Sequence, residues 1–310
     1  MSGVLILFPG QGSQKPGMAE YLWDFPVARD VFSEAGDVLG WDVGELCLRG
    51  TMEELTRTDR TQLTILTCSV AAWKVLEEKG ATFTVAAGHS LGEYSALVAS
   101  GRMSFADALR VVDVRGRGMQ ACGEQRGGTM AAIIGMDDAA VEEICASLSE
   151  VWVANYNSPG QIVISGSVES VKEAGDLAKE AGAARVLPLP VSGAFHTPFI
   201  EGAAVALQKA LAGVTFEPGT GRFLSTTEVH YPEPGEMAKV LSDQLMSPVK
   251  FTQSMQKVLG GQGAPSSGFE VGPGNVLTGL MKRIDKAFPM ASTGDSATLQ
   301  AALEQIGSAQ

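Results

Sequence analysis

Phe83-Thr84-Val85-Ala86-Ala87-Gly88-His89-Ser90-Leu91-Gly92-Glu93-Tyr94-Ser95-Ala96-Leu97-Val98-Ala99-Ser100 decides the fold. Phe83–Ala87 reads as a short buried strand and Glu93–Ser100 as a helix, with the pentapeptide Gly88-His89-Ser90-Leu91-Gly92 between them. A G-x-S-x-G sequence between strand and helix makes a sharp turn that lifts the serine hydroxyl above a sheet. The N–H of the following residue then points toward a developing oxyanion, and the helix N-terminus adds favourable potential there. A plainer reading makes Ser90 the N-cap of an ordinary strand-to-helix turn, and the pentapeptide alone does not separate the two.

The flanking sequence extends the alternation. Upstream, Val4–Leu7 reads as a buried strand ending in the loop Pro9-Gly10-Gln11-Gly12-Ser13-Gln14, followed by helical periodicity around Met18–Ala35 and over Thr61–Lys79. Strands alternating with helices predict an α/β architecture with a mainly parallel sheet, of the α/β-hydrolase-like kind that carries such serine turns. The middle differs. Thr129–Gly135, Trp152–Asn155, Gln161–Ser165 and Arg185–Val191 read as strands, with helices over Asp137–Ser149 and Ser167–Gly182. That β-α-β-β-α-β order is the ferredoxin-like signature. It predicts a small ferredoxin-like subdomain at 127–191, inserted into a large domain built from 1–126 and 192–310. The last part adds a strand at Gly268–Val271, the turn Gly272-Pro273-Gly274 and a helix over Asn275–Ile284.

Composition narrows the function. The 310 residues are 45% hydrophobic and 19% charged, enough apolar material for a sizeable core and no mark of disorder. No apolar run approaches the roughly 18 residues that span a bilayer, and no basic segment precedes Val4–Phe8 as a secretory signal requires. A net charge of −12 argues against nucleic acid, which needs clustered Lys and Arg. The four cysteines (Cys47, Cys68, Cys122, Cys145) form no CxxC pair, so neither a metal site nor a disulfide framework is expected, and a reducing compartment is the default.

A serine nucleophile needs a base, and only His89, His196 and His230 are available. His89 adjoins Ser90, so its ring is expected to point away, and His230 lies in a polar loop. His196, in Val191-Ser192-Gly193-Ala194-Phe195-His196-Thr197-Pro198, remains by elimination. Ser104 and Asp107 open a helix in the manner of a capping box. On that helix Ala108, Val111, Val112, Arg115 and Met119 share one face, whereas Arg110, Asp113 and Arg117 can pair on another. Arg115 alone sits among apolar neighbours, where an unpaired charge costs several kcal/mol. Either a protein carboxylate satisfies it or a substrate carboxylate does, held bidentately by the planar fork.

Phe8–Gln14, Gly88–Leu97, Val114-Arg115-Gly116, Asn157-Ser158-Pro159-Gly160-Gln161 and Val271–Gly274 occur in this order. The chain resembles the malonyl-CoA:acyl carrier protein transacylases of discrete (type II) fatty-acid synthesis, from about Phe8 to Arg283. The resemblance implies Ser90 as nucleophile, His196 as base, the N–H groups of Gln11 and Leu91 as oxyanion hole, and Arg115 (beside Gln11) as the holder of the malonyl carboxylate. It implies a main-chain carbonyl near Ser247-Pro248-Val249-Lys250-Phe251 orienting the histidine, assigned to Lys250, where bacterial members commonly have glutamine. Ala194-Phe195-His196 is similar to the version in malonyl-selective polyketide acyltransferases, which makes Phe195 a barrier to a branched α-carbon. The expected partners are malonyl-CoA, a substrate rather than a bound cofactor, and an acidic acyl carrier protein. Neither nucleic acid nor membrane is expected. Lys282, Arg283, the following Lys286 and Arg185 are candidates for docking the carrier, unless they form an ordinary solvated face. Nothing demands more than a monomer, and the expected location is the cytoplasm, or an organelle matrix or stroma if a targeting segment was removed. A discrete polyketide acyltransferase is the nearest alternative. A serine hydrolase fits less well, because the His-Gly-Gly oxyanion loop of lipases and the Asp-Gly of patatin-like enzymes are both missing.

Overall fold

The computed structural model describes residues 3–191 and 193–308. Ser192, where the large domain is expected to resume, and residues 1–2 and 309–310 lie outside the described residues. In chain order the strands are β1 (Gly3–Phe8), β2 (Val85–Gly88), β3 (Thr129–Ile134), β4 (Val151–Ser158), β5 (Gln161–Gly166), β6 (Arg185–Pro188), β7 (Arg222–Leu224), β8 (Pro265–Glu270) and β9 (Met290–Ser292). They form two sheets. One is wholly parallel, in the order β7-β2-β1-β8-β9; the other is antiparallel, in the order β4-β5-β3-β6.

The parallel sheet is covered on both faces, as its near-continuous apolar strands require. Leu5, Leu7, Val85, Ala87 and Leu224 pack on one side with Phe251, Met255, Leu277 and Met281. Alternate residues Ile6, Phe8, Ala86 and Phe223 face the other side, against helix residues such as Ile65, Leu66 and Leu97. The chain leaves β1 for β2 on one side, and β8 later fills the other, so the strand order reverses at β1. Open α/β sheets place their sites at the carboxyl ends of strands where this happens. Phe8 and Gly88 stand level in the register, so the loops after β1 and β2 emerge side by side.

In the antiparallel sheet each crossover helix returns the chain in the ferredoxin-like order. The helices are Asp138–Ser147 and Val168–Glu180. Edge strand β4 is tied to the large sheet's side of the molecule by main-chain bonds: Val249 N–H donates to Ala154 O, and Tyr156 N–H to Val249 O, both at 2.8 Å.

Several expected boundaries move by a few residues, and proline explains two of them. Instead of a helix from Met18, a single 3-10 turn forms at Glu20–Leu22 and the helix runs Pro26–Leu39. Pro26 holds the residue before it in extended backbone and suits the first helical position. Strand β6 ends at Pro188 rather than Val191, because Pro188 and Pro190 have no N–H for a ladder. The box at Ser104 is also only half made: Ser104 Oγ accepts from Asp107 N–H, but the Asp107 carboxylate bonds the hydroxyl rather than the Ser104 N–H. Arg117 pairs with Asp113 as expected, whereas Arg110 takes Asp107.

The turn after β2 is the tightest approach in the parallel half. A Cβ on Gly88 would lie 1.9 Å from the Gly92 carbonyl carbon, and one on Gly92 would lie 2.0 Å from Phe8 O. These contacts are backbone to backbone and cannot be relieved by a rotamer. Gly92→Ala should therefore lower stability by about 1–3 kcal/mol or prevent folding. Gly279→Ala, at a helical position with nothing within 4 Å, should raise it by about 0.5–1 kcal/mol. Urea unfolding of the two variants checks the contrast, and a neutral Gly92→Ala contradicts the packing described here.

Candidate active site

Several stretches of chain converge above the carboxyl ends of β1 and β2. Ser90 sits in the turn with φ of 53°, and His196 has φ of 60°; only two other non-glycine residues among those described, Glu150 and Val229, have positive φ. Left-handed backbone in a non-glycine residue is strained and persists only where surroundings enforce it. Here the two strained residues face each other: Ser90 Oγ lies 3.0 Å from His196 Nε2.

The other ring nitrogen settles the tautomer. His196 Nδ1 lies 3.0 Å from both the Gln244 and the Ser247 main-chain carbonyls. Carbonyls only accept, so Nδ1 carries the proton and Nε2 is left to accept from the serine hydroxyl. Burial pushes the ring down to about 3, and the nearby Arg115 charge pushes the same way. The imidazole is thus neutral at ordinary pH, the form a base requires.

These contacts correct the assignment to Lys250. Its carbonyl accepts the Ser254 N–H as the first turn of the Phe251–Gly260 helix, so it points along that helix and away from the ring. Ser247, in the same motif, and Gln244 just before it do the orienting. The Val249 bridge to β4 holds this segment in place.

Arg115 projects from the Phe105–Arg126 helix and is 1% exposed. Among the described residues no carboxylate hydrogen-bonds its guanidinium. Nη1 donates to Gln62 Oε1 at 2.7 Å, while Nη2 donates to Ser90 Oγ at 2.9 Å and to Gln244 Oε1 at 3.1 Å. Among the described residues its Nε donates to nothing. The expected face is realised, since Ala108, Val111, Val112 and Met119 are all buried beside it. Of the two readings of this residue, binding to a protein carboxylate is not what the geometry displays. A buried cation faces the serine hydroxyl with donors to spare, an arrangement that suits a carboxylate brought by a ligand.

The remaining candidates fall in several places. Leu91 follows Ser90 directly, and Gln11 lies in the loop after β1, where Gly10 approaches the His89 carbonyl so closely that a Cβ would lie 2.4 Å from it. The Gln11 and Leu91 N–H groups donate to no acceptor among the described residues. His89 turns away as expected; its Nε2 meets Asn157 Oδ1 of β4 at 2.8 Å, and burial depresses its basicity. His230 is half-buried beside Glu228 and Glu236. The Phe195 ring is buried in the main core next to Gly193. Lys282 and Arg283 are exposed on the last turn of the Val276–Ile284 helix, and Arg185 is exposed at the start of β6.

Sequence reading passed over Gln62, Gln244 and Glu93. Glu93 is fully buried; its carboxylate accepts from Thr226 N–H at 2.5 Å, Thr226 Oγ1 at 2.8 Å and Gln244 Nε2 at 2.7 Å. Burial pushes it up to about 7, against the pull of these donors and of Arg115. A signal was present, since an acid in the apolar helix Gly92–Ala99 has no basic partner at helical spacing.

Comparison with known proteins identifies the family. The sequence model of the acyl transferase domain family matches residues 5–304. The malonyl CoA-acyl carrier protein transacylase of Salmonella typhimurium is 42% identical over 311 residues, covering 98% of this chain and all of that one. A solved complex of a type II polyketide acyl-carrier protein with its malonyl-transacylase superposes with a TM-score of 0.94 at 40% identity, covering 98% and 100% of the two chains. An acyl carrier protein S-malonyltransferase of Vibrio cholerae gives a TM-score of 0.92 at 42% identity, with 97% and 99% covered. The chain belongs to the acyl transferase family, among the malonyl CoA-acyl carrier protein transacylases.

Proposed function

We propose that this protein transfers malonyl groups from malonyl-CoA to the phosphopantetheine thiol of acyl carrier protein, for fatty-acid biosynthesis. The observation that carries the reading is the buried Arg115, which among the described residues bonds no carboxylate and donates to the hydroxyl of Ser90. A plain serine hydrolase has no need of a cation there. In this reading the larger unit is 1–126 with 192–310 and the smaller is 127–191. The antiparallel strands, which all fall between Thr129 and Pro188, support that division.

The chemistry runs in two halves. Ser90 Oγ attacks the thioester carbonyl while its proton passes to His196 Nε2. The resulting oxyanion takes the N–H groups of Gln11 and Leu91, each worth roughly 2.7–4 kcal/mol if such donors behave here as elsewhere. Collapse breaks the carbon–sulfur bond, and the departing coenzyme A sulfur takes the proton from His196. A malonyl ester remains on Ser90, with its free carboxylate on Arg115. In the second half the carrier thiol gives its proton to His196 and attacks the ester. The carbon–oxygen bond breaks and Ser90 recovers its proton. The reaction needs no cofactor. Phe195 precedes the base and leaves less room for a branched α-carbon, a discrimination of about 1–3 kcal/mol for one methyl group.

No helix among the described residues is long and apolar enough to cross a membrane, and we place the protein in the cytoplasm. An acidic carrier approaching a chain of net charge −12 needs a local basic surface. Lys282 and Arg283, exposed with Lys286 nearby, are the proposed contact, with Arg185 contributing from β6.

Mass measurement after incubation with malonyl-CoA alone should find a persistent malonyl adduct on Ser90; rapid release of free malonate instead sinks the transferase reading. Arg115→Ala should slow malonyl loading by one to two orders of magnitude, the range expected for lost hydrogen bonds to a charged group. Acetyl loading should fall less or rise, and equal losses would make Arg115 merely structural. Because His196 is neutral down to about pH 3 in the free protein, the acid limb of kcat/KM should lie well below pH 6.5. A bound malonyl carboxylate offsets the Arg115 charge, so the limb of kcat should lie higher than that of kcat/KM. A free-enzyme limb at or above 6.5 contradicts the neutral-base account. Charge reversal at Lys282 and Arg283 should raise the KM for carrier protein by roughly an order of magnitude. It should spare loading from malonyl-CoA, and a loss of loading rate counts against docking there.

A further inference from the structure

The Gln244 side chain has a single orientation that satisfies every neighbour. Its Nε2 donates to Ser90 O at 3.1 Å and to Glu93 Oε2 at 2.7 Å, while its Oε1 accepts from Arg115. Reversing the amide would aim an NH2 group at a guanidinium that can only donate and, above about pH 7 where Glu93 is ionised, an oxygen at a carboxylate that can only accept. The Ser90 carbonyl favours the same orientation. Glu93 contributes the charged acceptor, and charge-assisted bonds are the stronger ones. Thr226 fixes that carboxylate from the far side through its N–H and its hydroxyl.

We infer that Glu93 is a positioning residue for acyl selection: its carboxylate fixes the Gln244 amide so that Oε1 faces Arg115, and thereby aims the guanidinium at the acyl group's free carboxylate. The Glu93 main-chain N–H donates to Ser90 O as the helix begins, but its carboxylate meets neither Ser90 nor His196 in any hydrogen bond among the described residues, so the side chain acts through Gln244 and Arg115. The inference rests on the malonyl-transfer reading above. It adds a residue that selects the acyl group without touching it.

The experiment compares malonyl-CoA with acetyl-CoA in the loading half-reaction for Glu93→Gln, well above pH 7 where Glu93 is ionised, so that the variant keeps the shape and removes the charge. With no fixed acceptor the Gln244 amide can reverse. The malonyl KM should then rise about tenfold, as expected for one weakened hydrogen bond to a charged group. Acetyl parameters should change little, so the malonyl preference in kcat/KM falls by the same factor. A structural role would instead lower kcat for both thioesters alike and leave their ratio unchanged, which overturns the inference. In a Gln244→Leu background, Glu93→Gln should cause no further loss of preference, and an additive loss overturns the inference. If Glu93→Gln fails to fold, Thr226→Val retains the charge but removes one anchor. It should shift the ratio the same way by a smaller factor, and an unchanged ratio in the folded variant overturns the inference. Wild-type protein that never acquires malonyl on Ser90 sinks the underlying transfer reading rather than the role of Glu93.

Discussion

A guanidinium buried against neutral oxygens organises the site. Taking a charge from water costs several kcal/mol unless hydrogen bonds and counter-charge replace the lost solvation. Arg115 receives the first in part, from Gln62, Gln244 and Ser90, and its nearest counter-charge, Glu93, stands one amide away. A contacting protein carboxylate would suit the resting protein better and would also fill the place that an acyl carboxylate needs. The fold keeps the cation underpartnered, and the cost falls on the surroundings. His196 loses basicity to its field, and Ser90 shares a lone pair with it.

The rest of the architecture is arranged to tolerate that charge. Parallel strands β1 and β2 end level, and glycine at 88 and 92 brings the turn close enough for Ser90 to stand over the sheet in left-handed backbone. The long helix behind it supplies Arg115, and the segment around Gln244–Ser247 supplies both an amide for the arginine and two carbonyls for the histidine. Gln244 therefore touches both the proposed holder of the acyl carboxylate and, through its carbonyl, the ring of His196. Edge strand β4 grips the same segment through Val249 and reaches His89 through Asn157, so the smaller sheet braces the nucleophile turn from outside.

Much of this was legible in the chain. The serine turn carries a glycine signal, β1 a continuous apolar run and the middle a β-α-β-β-α-β order, and the apolar face around Arg115 follows from helical spacing alone. Most of what escaped has one physical cause, contact across long sequence separation. Strands β7 and β9 have three residues each, too few for periodicity, and exist because β2 and β8 offer open ladders. Gln62 and Gln244 look like ordinary polar residues until helices far apart in sequence bring them together, and the apolar helix around Glu93 signals burial without naming its partners. The acceptor for His196 is a main-chain carbonyl, which no residue type announces, and so proximity in a motif led to Lys250 instead of Gln244 and Ser247. Helix starts were displaced where Pro26 outweighed apolar spacing.

A crystal structure of the protein trapped with malonate esterified to Ser90 tests the central claim most directly. The account predicts the free carboxylate within hydrogen-bonding distance of the Arg115 guanidinium, with the bonds to Gln62 and Gln244 retained. A carboxylate turned to solvent, with Arg115 paired to one of the protein's own acids, would contradict it.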